Sequence, residues 1–211
     1  SVLGFIAFAV FGVKQSAKAV KKSKLAYLPP KIAIEGHGIK RGLTSVETAV
    51  LMETPMDRIL TMILFSAIKK GAATVASREP LKIDVVEPRP AELRPYEVEF
   101  LDAFKLTNEA QRRTALQTMM INLVKSVSQE MKGFSLKETV AYYKDIMTRA
   151  WQQVETADTP EVKMERFDEY MGWTMLDKEW EGRTQTTFGS GPVIMPTWWW
   201  RFDPATPRPT T

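Results

Sequence analysis

A chain of 211 residues with 44% apolar and 26% charged side chains has the material for a packed core, so disorder is not the starting assumption for its middle. The absence of cysteine excludes disulfides, thiolate nucleophiles and cysteine-ligated zinc or iron–sulfur sites. The formal charge of +4 is a local label: residues 14–41 set Lys14, Lys18, Lys21, Lys22, Lys24, Lys31, Lys40 and Arg41 against Glu35 alone, a segment charge of +7 that leaves the rest of the chain at −3.

The first element, Ser1 to Val13, is uncharged and rich in Phe, Val, Ile and Ala. It is shorter than the ~20 residues of a membrane-spanning helix, and the chain opens without methionine, which fits a span entered partway. The positive charges follow the apolar run, the reverse of a secretory signal. Lys14, Lys18, Lys21 and Lys22 fall on one face of a continuing helix. The expectation is the end of a membrane helix over residues 1–27, with Phe5, Ile6, Phe8 and Phe11 against lipid. The four lysines then mark the inner leaflet by the positive-inside rule. The competing reading is a buried amino-terminal helix with a solvated lysine face.

Pro29 and Pro30 end this stalk, and residues 28–90 read as a winged-helix-like unit. Thr44 and Glu47 form a capping box at the start of one helix. Thr54, Pro55 and Asp57 open a second, which runs to Lys70 and stops at Gly71. Residues 73–76 and 81–86, joined across Ser77 to Pro80, then read as a hairpin, because Leu81, Ile83 and Val85 alternate with Lys82 and Asp84. Helix, turn, helix and hairpin is the order of a winged helix.

Residues 91–181 read as a helical bundle. Leu93, Glu97 and Leu101 repeat the spacing of Leu43, Glu47 and Leu51, a faint trace of duplication. Leu116, Met120, Leu123, Val127 and Met131 make one apolar stripe closed by Gly133. Ser135 and Glu138 form another capping box, followed by a seam of Leu136, Val140, Tyr143, Met147, Ala150 and Val154. Thr159 and Pro160 start one more helix, with Phe167, Tyr170 and Met171 inward. Beyond, residues 182–211 lose periodicity and read as an extended tail broken by Trp198, Trp199 and Trp200. Three adjacent indoles facing water are costly, so they are expected to bind a partner, with the chain's own body or the lipid interface as alternative resting places.

The segments Leu28 to Ile32, Leu43 to Lys70 and Tyr142 to Trp151 resemble an uncharacterised family of predicted bacterial membrane proteins, a domain of unknown function. In it a membrane helix precedes a cytosolic region with winged-helix-like pieces. The resemblance spans roughly residues 28–175 and implies no active site, so it transfers no functional residues.

The chemical motifs are thin. His37, the single histidine, has only Glu35 nearby, which suits a loop better than a metal site or triad. Gly36, Gly38 and Gly42 miss the dinucleotide spacing by one position. Ser66 and Lys69 match a nucleophile pattern but sit in an apolar helix without its companion motifs. Glu161, Glu165, Asp168 and Glu169 share a helical face that reads as solvated.

The expectation is therefore a mainly helical protein with no catalytic, cofactor or metal residues and no small-molecule substrate. It would be anchored in the cell membrane with its body on the cytoplasmic side, as a scaffold or accessory subunit of a membrane complex. The lipid bilayer and other proteins are its expected partners. The first alternative is a membrane-tethered regulator reading DNA through the winged unit, which the negative body and the charge-poor second helix oppose. Another is a transport or enzyme component whose catalytic part lies before Ser1.

Overall fold

A computed structural model describes residues 36–189, 191, 193–206 and 208. The expected lipid-contact residues Phe5, Ile6, Phe8, Phe11, Lys14, Lys18, Lys21 and Lys22 lie outside these. Among the described residues, no helix is long and apolar enough to cross a membrane.

The chain is mainly helical with one antiparallel hairpin. Its elements are α1 (Ser45–Leu51), α2 (Met56–Lys69), β1 (Ala73–Arg78), β2 (Leu81–Val85), α3 (Pro95–Lys105), α4 (Glu109–Glu130), α5 (Leu136–Glu155), α6 (Pro160–Glu169), α7 (Met171–Thr174) and α8 (Trp180–Phe188). A 3-10 turn, Trp199–Arg201, follows.

The described residues form two compact units, each assembled from separated stretches of chain. One takes residues 36–55 and 124–196; the other takes 56–123 and 197–208. Among the described residues these units cut across the boundaries expected at residues 91 and 182, while the one expected at residue 28 lies outside the described residues. The order helix, turn, helix, hairpin is present, but α1 packs on α5 and α7 whereas α2 packs on α3 and β1. The two helices of the expected winged unit therefore bury their faces in different cores.

In the first unit, α1 starts as its sequence dictates. The Glu47 amide donates to Thr44 Oγ1 at 3.1 Å and the Thr44 amide to Glu47 Oε1 at 2.9 Å, satisfying two amides that a helix start leaves unpaired. The box expected at Ser135 is only half made. Ser135 Oγ accepts from the Glu138 amide, but the Glu138 carboxylate accepts from the Gly38 amide instead. On α5 the buried row is Thr139, Tyr143, Ala150, Trp151 and Val154, while Leu136, Val140 and Met147 are half-buried. The seam is thus rotated towards Trp151, the largest side chain available to fill it. Thr159 caps α6, whose Met164 and Phe167 turn inward together with Met171.

Helix α8 corrects the expectation of an extended tail from residue 182. Trp180, Thr184 and Phe188, spaced by four, are its buried row. Trp180 stacks on Phe167 at 6.1 Å between ring centroids, and its Nε1 donates to Thr174 Oγ1 at 3.1 Å. Phe188 meets the same Phe167 edge-on at 5.0 Å.

In the second unit, α2 is the central rod: the seven consecutive residues Ile59 to Phe65 are all buried. The hairpin closes through the two-residue loop Glu79–Pro80 with Arg78 opposite Leu81. Its register shifts between Val75 and Ser77, a bulge that leaves Ala76 unpaired. Leu81 and Ile83 face inward and Lys82 and Asp84 outward, as their alternation predicts.

Candidate functional site

Three groupings of side chains qualify for scrutiny. The first joins α2 to α3. Glu97, with no exposed surface, accepts from Ser66 Oγ at 2.9 Å, from Lys70 Nζ at 2.6 Å and from the Arg94 amide at 2.9 Å. Lys70 Nζ also donates to Glu92 O at 3.1 Å. A general base needs an acceptor lone pair aimed at an incoming proton. Here the carboxylate is engaged by a hydroxyl, an ammonium and the amide of its own helix start, so the cluster serves as a structural knot. Sequence reasoning paired Ser66 with Lys69, whereas the structure gives the contact to Lys70, one helical turn from Ser66 and on the side facing α3.

The second grouping is the tryptophan segment. Trp198 and Trp199 are only 6% and 4% exposed, and so they are not free to bind a partner as expected from the sequence. Phe65 of α2 meets Trp198 edge-on at 6.1 Å and Phe202 at 5.2 Å, and Phe202 lies 4.9 Å from Trp199. Polar contacts fasten the same stretch. Arg201 Nη1 donates to Ile68 O at 3.2 Å and Lys69 O at 3.4 Å, carbonyls at the end of α2, of which Ile68 O also accepts from the Gly71 amide at 3.0 Å. Buried Asp203 accepts from Arg78 of β1 at 3.4 Å, from the Ala205 amide at 3.0 Å and from Thr206 Oγ1 at 3.1 Å. Trp200 behaves differently: it is half-buried, with the guanidinium groups of Arg201 and Arg208 at 5.4 and 4.5 Å from its ring.

The third lies at the ends of α5 and α8. Arg183 donates to both Glu155 oxygens, at 2.7 and 3.2 Å, and to Asp177 at 3.3 Å, while its guanidinium lies 4.7 Å from the Trp151 ring. The hydrogen bond to Glu155 raises its pKa above the ordinary arginine value. Nearby, Asp158, Thr159, Pro160, Lys163, Thr187 and Phe188 line a cleft of about 100 Å³. That is well below the roughly 300 Å³ at which small-molecule sites begin. Lys163 Nζ reaches Thr187 O at 3.5 Å beside it.

The remaining sequence candidates are dispersed. His37 is exposed on a loop, and Glu161, Glu165 and Glu169 face solvent. Among the described residues, no three histidines, aspartates or glutamates converge as a metal site would require. Burial of Ile59 to Phe65 on all sides leaves α2 without the outward row that a DNA-reading helix lays into a groove.

No family model, curated protein or solved structure matches the chain.

Proposed function

We infer that the protein is a non-catalytic, membrane-anchored adaptor whose helical body binds another protein on the cytoplasmic side of the membrane. The observation that carries this reading is the segregation of charge: thirteen uncharged residues, then +7 over residues 14–41, then a body of −3. A freely diffusing nucleic-acid binder would carry its positive charge on the body instead.

The polar side chains of the body support the non-catalytic part. Glu97, Asp203 and Arg183, the groups best placed to do chemistry, each hold two or more hydrogen-bonded partners from their own unit. The helices and the hairpin are winged-helix-like in their order only. The regulator alternative would need α2 to expose a reading face, and burial of Ile59 to Phe65 works against it.

Trp200, with Arg208 stacked on it, is the contact offered to a protein partner, since tryptophan and arginine dominate interface energetics. Affinity capture of the full chain from native membranes tests this. The same partner should be recovered with the wild type and lost with the double variant Trp200→Ala/Arg208→Ala, which should remain folded by circular dichroism. Recovery of the chain alone, or of the same partner with both, would remove the adaptor reading.

A further inference from the structure

Before α1 runs a strap, Gly36 to Leu43, whose backbone is tied to the start of α5. The His37 amide donates to Gly133 O at 3.2 Å, and the Ser135 amide to Gly38 O at 2.8 Å. The Gly38 and Lys40 amides donate to Glu138 Oε2 and Thr139 Oγ1, each at 3.0 Å. The Tyr143 hydroxyl accepts from the Leu43 amide at 3.0 Å and donates to Lys40 O at 3.1 Å. Gly36 lies so close to Gly133 that a Cβ on it would stand 2.5 Å from the Gly133 carbonyl carbon. The point where the basic amino-terminal segment joins the body is therefore fixed in place.

With its backbone engaged, the strap presents side chains. Arg41 is exposed and its guanidinium lies 5.3 Å from the Tyr142 ring. Lys40 is half-buried with Nζ 5.6 Å from the Phe134 ring. Lys132, exposed, precedes the glycine to which the strap is bonded. Among the described residues, none of Lys40, Arg41 and Lys132 has a carboxylate partner. Glu138, spent on the Gly38 amide, and part-exposed Glu130, whose charge reaches the Tyr143 phenol, are the acids beside them. Phe134 and Tyr142 are half-buried, each with a cation on its ring.

Cations paired with part-exposed aromatic rings suit the layer where phosphate headgroups meet acyl chains, since such rings favour that boundary and cations are drawn to anionic lipid. In sequence the strap directly continues the segment holding Lys14 to Lys31. We propose that the strap, with Lys132, Phe134 and Tyr142, lies on a bilayer containing anionic phospholipid, Lys40, Arg41 and Lys132 meeting its phosphates. This rests on the membrane-anchor reading and adds which face of the body meets lipid. Each cation near an anionic surface strengthens association roughly fivefold, the equivalent of about 1 kcal/mol, so three opposed by two carboxylates give a net gain of roughly fivefold.

The test is brief amine acetylation of the full chain, read residue by residue by mass spectrometry. It is done on vesicles of phosphatidylcholine alone and of phosphatidylcholine with about a third phosphatidylserine, flotation recording association with each. On the serine-containing vesicles, labelling of Lys40 and Lys132 should fall at least threefold, while exposed Lys178 of the same unit reacts as before. The Arg41→Glu/Lys132→Glu variant should return Lys40 to its phosphatidylcholine level. If the chain floats with both vesicles and Lys40 and Lys132 label equally on each, the strap proposal is overturned and the anchor stands. If it floats with neither, both fall. Protection of these lysines by duplex DNA and not by vesicles would overturn the proposal in favour of nucleic acid.

Discussion

Replacing Trp199 by alanine separates a tail that forms part of the core from a tail that waits for a partner. Trp199 is 4% exposed and packs on Phe202 and Trp198, with centroids at 4.9 and 5.7 Å. A buried tryptophan withdraws about 200 Å² from water, which at about 25 cal/mol per Å² sets an upper bound near 5 kcal/mol. Large-to-alanine substitutions in well-packed cores cost roughly 3–5 kcal/mol, so at least about 3 kcal/mol is expected. For a chain of this size that lowers the melting temperature by roughly 10 °C. The neighbouring Trp200→Ala, at a half-buried site, should cost under about 1 kcal/mol. Urea unfolding followed by circular dichroism and tryptophan fluorescence measures both. Equal, small losses at the two positions, or a larger loss at Trp200, would refute the placement of the segment against Phe65.

Substitutions at two further positions probe the polar contacts. Glu97→Ala takes the acceptor from the Ser66 hydroxyl and the Arg94 amide and leaves the part-exposed Lys70 ammonium with Glu92 O, and should lower unfolding free energy by about 1–2 kcal/mol, whereas Glu97→Gln keeps one acceptor and should lose less. Denaturant titrations of the two variants decide this, equal stability of Glu97→Ala and wild type being the contrary result. Burial raises the pKa of the Tyr143 phenol above its ordinary value, outweighing the hydrogen bond from the Leu43 amide, which lowers it. A raised folded-state pKa gives stability that is whole below the unfolded value of about 10 and fades as pH climbs through the folded one. Wild type should therefore weaken from about pH 10 upward. Tyr143→Phe, already about 1–2 kcal/mol weaker at neutral pH from its stranded Leu43 amide, should lack that part of the alkaline decline.

Local chemistry was legible in the residues and long-range chemistry was not. The Thr44 box, the Thr159 cap, the stops at Gly71 and Gly133 and the alternation of Leu81 to Asp84 each depend on neighbours within four positions, and each is in place. Helix α8 escaped notice because its nine residues include only two large apolar side chains, the inward row being completed by Thr184. Glu138 belongs to a box by spacing, yet its carboxylate is taken by Gly38, a hundred residues earlier. Separation along the chain likewise hides the pairing of Ser66 and Lys70 with Glu97, 31 and 27 residues apart, and that of Arg201 with Ile68 at the end of α2, 133 residues apart. Composition signalled that Trp198 to Trp200 must be covered; which surface covers two of them is set by Phe65, more than a hundred residues away. Interleaving of the chain between two compact units has no local signature at all, since each boundary falls within ordinary turns or inside the continuous helix α4.

The central claim, that the uncharged opening and its lysines hold the protein at the inner face of a membrane, is tested most directly by fractionating cells that express the full chain or a form lacking residues 1–24. The account predicts that the full chain sediments with membranes and resists alkaline carbonate, while the shortened chain, equally folded by circular dichroism, is released to the soluble fraction. A full chain found in the soluble fraction, or a shortened one still integral to membranes, would contradict it.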